Sequence, residues 1–119
     1  MSKPTKKEQA AACSWLKAKV EEFLKEHKAV AGEHGYAHKL ETVAGPLLVG
    51  VFEGWVACRF EDVEKAKRHF NVQRLFRHER FNPYSGKFNF QGFEASPDGL
   101  ERLYLEFERD VGELLTKAR

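Results

Sequence analysis

Long apolar runs are missing from this chain of 119 residues. No stretch approaches the ~18 residues that a membrane span requires, and no secretory leader opens the sequence. The expectation is a soluble, cytoplasmic protein. Cysteine is scarce: Cys13 and Cys58 stand alone, without the spacing of a disulfide framework, and read as buried or half-buried free thiols in a reducing compartment. A dominant charge is lacking too, since 20 Lys/Arg face 18 Asp/Glu for a net charge of +2. A phosphate-cradling glycine loop is absent, because Gly86-Lys87 lacks both the preceding glycine and the following Ser/Thr of a P-loop.

Catalytic and metal chemistry find little support. Ser85 lies in a turn with no strand-turn-helix elbow around it, and Cys13 falls inside a helical pattern, away from the N-terminus where its thiolate would be favoured. His34 and His38 are four residues apart, about 13 Å on an extended strand. That is too far to share one ion at bond lengths near ~2 Å. His69 and His78 lack companion ligands at a suitable spacing. We therefore expect a non-enzymatic protein with no catalytic residues, no metal and no cofactor.

What is present suits one folded domain over residues 1–119, with residues 1–4 as a flexible lead. Apolar residues make up 42% of the chain, ten of them Phe, enough for a core that buries roughly two thirds of the unfolded surface. Thr5-Lys6-Lys7-Glu8 has the form of a capping box. Ala12, Leu16, Val20, Phe23 and Leu24 then repeat with helical period, flanked by Cys13 and Trp15. This helix should reach His27 or Lys28, with Gly32 ending the segment. Strands are expected over Tyr36–Val43, Leu47–Phe52 and Trp55–Phe60, the last two joined through Glu53-Gly54. Gly50 inside a strand points to a bulge or a close neighbour.

Asp62 can cap a short helix through Phe70, and strands follow over Leu75–Phe81 and Lys87–Phe93. Ser96 as N-cap and Pro97 at the first helical position open a C-terminal helix. Its stripe is Leu100, Leu103, Tyr104, Phe107, Val111, Leu114 and Leu115; Glu101, Glu106, Glu108, Asp110 and Glu113 read as its wet face. The order α-β-β-β-(α)-β-β-α predicts an α+β two-layer sandwich, with an antiparallel sheet of four to five strands and the N- and C-terminal helices packed on one face. Trp15 and Trp55 can be assigned neither to core nor to contact surface.

Charge is distributed unevenly. Lys65, Lys67, Arg68, Arg74, Arg77, Arg80 and Lys87 face only Glu79 between residues 65 and 87, a local net charge of +6. Residues 88–119 carry −3. Such a dipolar chain steers acidic partners, although basic residues on a strand also guard against edge pairing. Alternation should send Phe88 and Phe90 inward and leave Lys87, Asn89 and Gln91 outside. Tyr84, at the tip of an Asn-Pro-x-Ser-Gly turn, is the best exposed aromatic contact. The candidate partner-binding residues are Arg74, Arg77, Arg80, Tyr84, Lys87 and Asn89.

The run Asn82-Pro83-Tyr84-Ser85-Gly86-Lys87-Phe88-Asn89-Phe90 resembles an Asn-Pro-x-Ser-Gly-Lys-Trp-Asn pattern. That pattern recurs in small, largely uncharacterised proteins of bacteriophages, plasmids and integrated mobile elements, where it also precedes a C-terminal amphipathic helix. Phe88 stands where tryptophan is usual, and the likeness covers about the last third of the chain. It implies a mobile-element accessory protein and brings no catalytic residues. Two readings follow. The protein binds and blocks an acidic surface of a host defence complex, as anti-CRISPR proteins do, or the same residues bind DNA or RNA phosphates directly. An exposed strand edge also offers a route to a homodimer.

Overall fold

Thr5 opens the first helix through side-chain chemistry. Its hydroxyl accepts from the Glu8 amide at 3.1 Å, and the Glu8 carboxylate accepts from the Thr5 amide at 3.0 Å, a complete capping box. Helix α1 (Lys6–Glu26) then buries Ala12, Leu16, Val20, Phe23 and Leu24, the apolar stripe of its sequence. The computed structural model describes residues 5–68, 82, 84–91 and 96–116. Five strands follow among them: β1 (Val30–Ala31), β2 (His38–Thr42), β3 (Gly45–Phe52), β4 (Trp55–Phe60) and, after the short helix α2 (Val63–Lys67), β5 (Lys87–Phe90). The last element is α3 (Pro97–Thr116), where the Ser96 hydroxyl accepts from the Gly99 amide at 3.1 Å.

The strands form one sheet in the order β1-β2-β3-β4-β5, antiparallel at every pairing. Period-two alternation splits it into two faces. Leu40, Leu47, Val49, Val56, Cys58, Phe60, Phe88 and Phe90 share one core with the stripes of α1 and α3. Ring contacts lock the layers together: Phe107 of α3 lies 5.3 Å from Phe23 and 5.5 Å from Phe90, edge to face in both cases. The expected α+β sandwich, with both long helices on one side of an antiparallel sheet, is the observed architecture. No described helix is long and apolar enough to cross a membrane.

Several boundaries differ from expectation. The strand expected from Tyr36 begins at His38, because His34 (φ 57°) and Gly35 (φ 86°) turn the chain just before it. Strand β1 was not expected; its two residues pair with His38 and Lys39. Gly50 causes no bulge, since register is unbroken from Leu47↔Phe60 to Phe52↔Trp55. Asp110 departs from the wet face: it is 8% exposed, and its carboxylate accepts from Arg109 Nε at 3.1 Å. Its place between Phe107 and Val111 puts it on the flank of the apolar stripe. Helix α2 ends at Lys67 with Arg68 as its C-cap, short of the expected Phe70, and β5 ends at Phe90, short of the expected Phe93; the predicted strand at residues 75–81 and the 1–4 lead fall outside the described residues.

Candidate functional site

The Asn-Pro-x-Ser-Gly-Lys motif builds a turn whose polar groups are largely spent on itself. Asn82 Oδ1 accepts from the Tyr84 amide at 2.8 Å and the Ser85 amide at 3.2 Å. The Gly86 amide donates to the Asn82 carbonyl, and the Asn82 amide to the Lys87 carbonyl, each at 2.8 Å. Ser85 Oγ accepts from the Lys87 amide at 3.3 Å. Gly86 is required on two counts. Its φ is +77°, and a Cβ there would stand 2.8 Å from the Phe60 carbonyl oxygen. In that close approach the Gly86 carbonyl accepts from the Phe60 amide at 3.0 Å, tying the turn to the end of β4. Among the described residues of the turn, Tyr84, 91% exposed, and the exposed Lys87 are left for a partner.

Lys87 opens onto the sheet face that turns away from α1 and α3. Register places three rows there. Lys39, Leu48, Arg59 and Lys87 lie side by side across β2 to β5; Gly50, Ala57 and Asn89 form the next row; Phe52 and Trp55 form the third. The middle row is nearly without side chains, and rings fill the space above Gly50. A Cβ at Gly50 would lie 3.2 Å from Phe52 Cε2 and 3.6 Å from Tyr36 Cδ1. Phe52 stacks on Trp55 with centroids 4.8 Å apart and planes 22° from parallel. Phe52 keeps 43% of its surface exposed, and Trp55 and Tyr36 are half-buried. Asn89 Oδ1 is shut off from solvent with no hydrogen-bond donor. Leu48 is fully buried although it points away from the core, with Lys39 and Arg59 as its register neighbours.

The cations of this face are not equivalent. Lys39 is paired, 3.5 Å from Glu61 and 3.9 Å from Glu33. A hydrogen bond with Glu33, helped by Lys39 and His34, holds the Glu61 carboxyl below its ordinary range. Arg59 and Lys87 have no acidic partner within 4 Å among the described residues. Burial raises the Tyr36 phenol while the positive charge of Arg59 opposes the shift, which ties ring and guanidinium into one neighbourhood. Cys58 is buried in the core, and desolvation pushes its thiol up strongly, away from the thiolate a nucleophile needs. His38 Nε2 is 3.6 Å from a Glu21 oxygen, and among the described residues no three His, Cys, Asp or Glu side chains come together as ligands.

Of the residues expected to bind a partner, Tyr84, Lys87 and Asn89 occupy the turn and the strand that leaves it, and the inward direction of Phe88 and Phe90 is as alternation requires. Arg74, Arg77 and Arg80 lie outside the described residues. Sequence reasoning did not single out Arg59, Tyr36, Phe52 or Trp55. One signal was available: Arg59 is the single charged residue of β4 and alternates with the core residues Cys58 and Phe60. No family model matches this chain, and neither a curated protein nor a solved structure shows significant similarity to it.

Proposed function

We propose that this chain is a non-enzymatic binding protein that uses the β4–β5 end of the sheet face away from α1 and α3, with the turn at Asn82–Lys87, to hold a negatively charged partner. The observation that carries this reading is the pairing of Arg59 with Lys87 as direct cross-strand neighbours, neither with an acid beside it among the described residues. Like charges placed opposite each other weaken a sheet, and an anionic partner removes that cost. Edge protection accounts for a lone lysine on an outer strand. It does not account for a second unpaired cation on β4, which has neighbours on both sides.

The resemblance in the turn supports a phage or mobile-element origin for such a protein. There it would act by covering an acidic surface of a host defence complex, in the manner of anti-CRISPR proteins. Direct binding of DNA or RNA is the second reading, favoured by the rings of Tyr36, Phe52 and Trp55 beside the cations. Both readings require the same surface. Retention on a polyanionic matrix tests it. Arg59→Glu with Lys87→Glu should elute at clearly lower salt than a control with the same charge change on α1, Lys17→Glu with Lys25→Glu. Equal elution of the two would defeat the reading.

A further inference from the structure

The face that carries Arg59 and Lys87 is more than cationic. One ladder row away the floor is Gly50 and Ala57, and beyond it stand the Phe52–Trp55 stack and the Tyr36 ring. Two residues along a strand are about 7 Å, so cations, floor and rings occupy a strip of about 14 Å. Acidic side chains of a protein would satisfy the charges yet leave the ring faces without a counterpart. A single strand of nucleic acid supplies both, phosphates for the cations and flat bases for the rings. A duplex supplies phosphates only, since its bases are already stacked on one another and out of reach. Asn89 lies beside Ala57 in the floor row, with a side-chain amide that can both donate and accept, and its solvent-screened Oδ1 has no donor among the described residues. Base edges carry both kinds of group.

From this juxtaposition we infer that the partner of this sheet face is single-stranded nucleic acid, held by stacking at Tyr36, Phe52 and Trp55 and by phosphate contacts at Arg59 and Lys87. The inference rests on the anionic-partner reading above and narrows it. Sheet faces of this size stack about two or three bases, which sets the expected footprint on the rings.

The chain has two tryptophans, so Trp15→Phe leaves Trp55 as the sole reporter on the face. In that background we would titrate oligothymidine, a duplex of equal length and poly-glutamate at about 50 mM salt. Oligothymidine should quench Trp55 emission, and its log affinity should fall with log salt at a slope of about −1.4 or steeper, from about −0.7 for each of two phosphates. Tyr36→Leu should weaken the strand about ten-fold, and poly-glutamate should leave the emission unchanged. Because the quenching is read on an unaltered face, the test stands even where Tyr36→Leu fails to fold. Equal affinity for poly-glutamate and oligothymidine without quenching, or tighter binding of the duplex, overturns the single-strand inference and spares the anionic partner. Binding of none of the three overturns both.

Discussion

Gly86 shows how little of the Asn82–Lys87 turn is available for recognition. Gly35 and Gly86 both have positive φ, +86° and +77°, yet a Cβ at Gly35 meets nothing within 4 Å while one at Gly86 strikes the Phe60 carbonyl and Val63. The first substitution meets only the left-handed penalty of about 1–2 kcal/mol; the second adds a collision with backbone. Gly35→Ala should therefore lower the melting temperature by about 3–10 °C, at about 3–5 °C per kcal/mol for a chain of this size. Gly86→Ala should lower it clearly further. Thermal unfolding of the two variants checks the order, and equal losses would show that the approach of the turn to β4 carries no energy. Asn82 and Ser85 answer to the same logic, since their side chains hold amides of the turn itself.

At the scale of elements, local chemistry explains why both long helices could be read from the chain. Thr5 with Glu8, and Ser96 with the amide of Gly99, fix helix starts by side-chain oxygens that the sequence displays openly. The apolar stripes that follow are those buried. Glu8 lends itself to a pH test. Its hydrogen bonds from the Thr5 amide and hydroxyl hold its carboxyl below the ordinary value. A depressed folded value means stability that is present above the ordinary pKa and lost as pH falls through the folded one. Wild type should exceed Glu8→Ala in melting temperature at pH 7, and the gap should close between about pH 5 and pH 3. A gap unchanged at pH 3 would show that the capping carboxylate is not its cause. The less legible elements depend on distant partners. Two residues, Val30 and Ala31, become a strand only because His38 and Lys39 arrive beside them. Likewise Asp110 looks solvated by its type, and only the tertiary packing of α3 shows it buried. The site shows the same division: Tyr84 and Lys87 were legible in turn chemistry and alternation, whereas Arg59 acquires meaning only through its register with Lys87.

Across the whole molecule, helix α3 is acidic on balance, while the far side of the sheet presents Arg59 and Lys87 with no acid within 4 Å among the described residues. This arrangement makes stability and binding respond oppositely to one substitution. Lys87→Glu replaces two facing cations by an opposite-charge cross-strand pair, a change of order 0.2–1 kcal/mol in favour of the fold. The melting temperature should rise by about 1–5 °C at low salt, and the rise should shrink at ~1 M salt as the pair is screened. Retention on a polyanionic matrix should fall in the same protein. A surface kept for solubility would gain stability and keep its weak retention unchanged, and a damaged fold would lose both. Only a face held ready for an anion, at a small cost to the sheet, gives the combination of a firmer fold and a weaker grip.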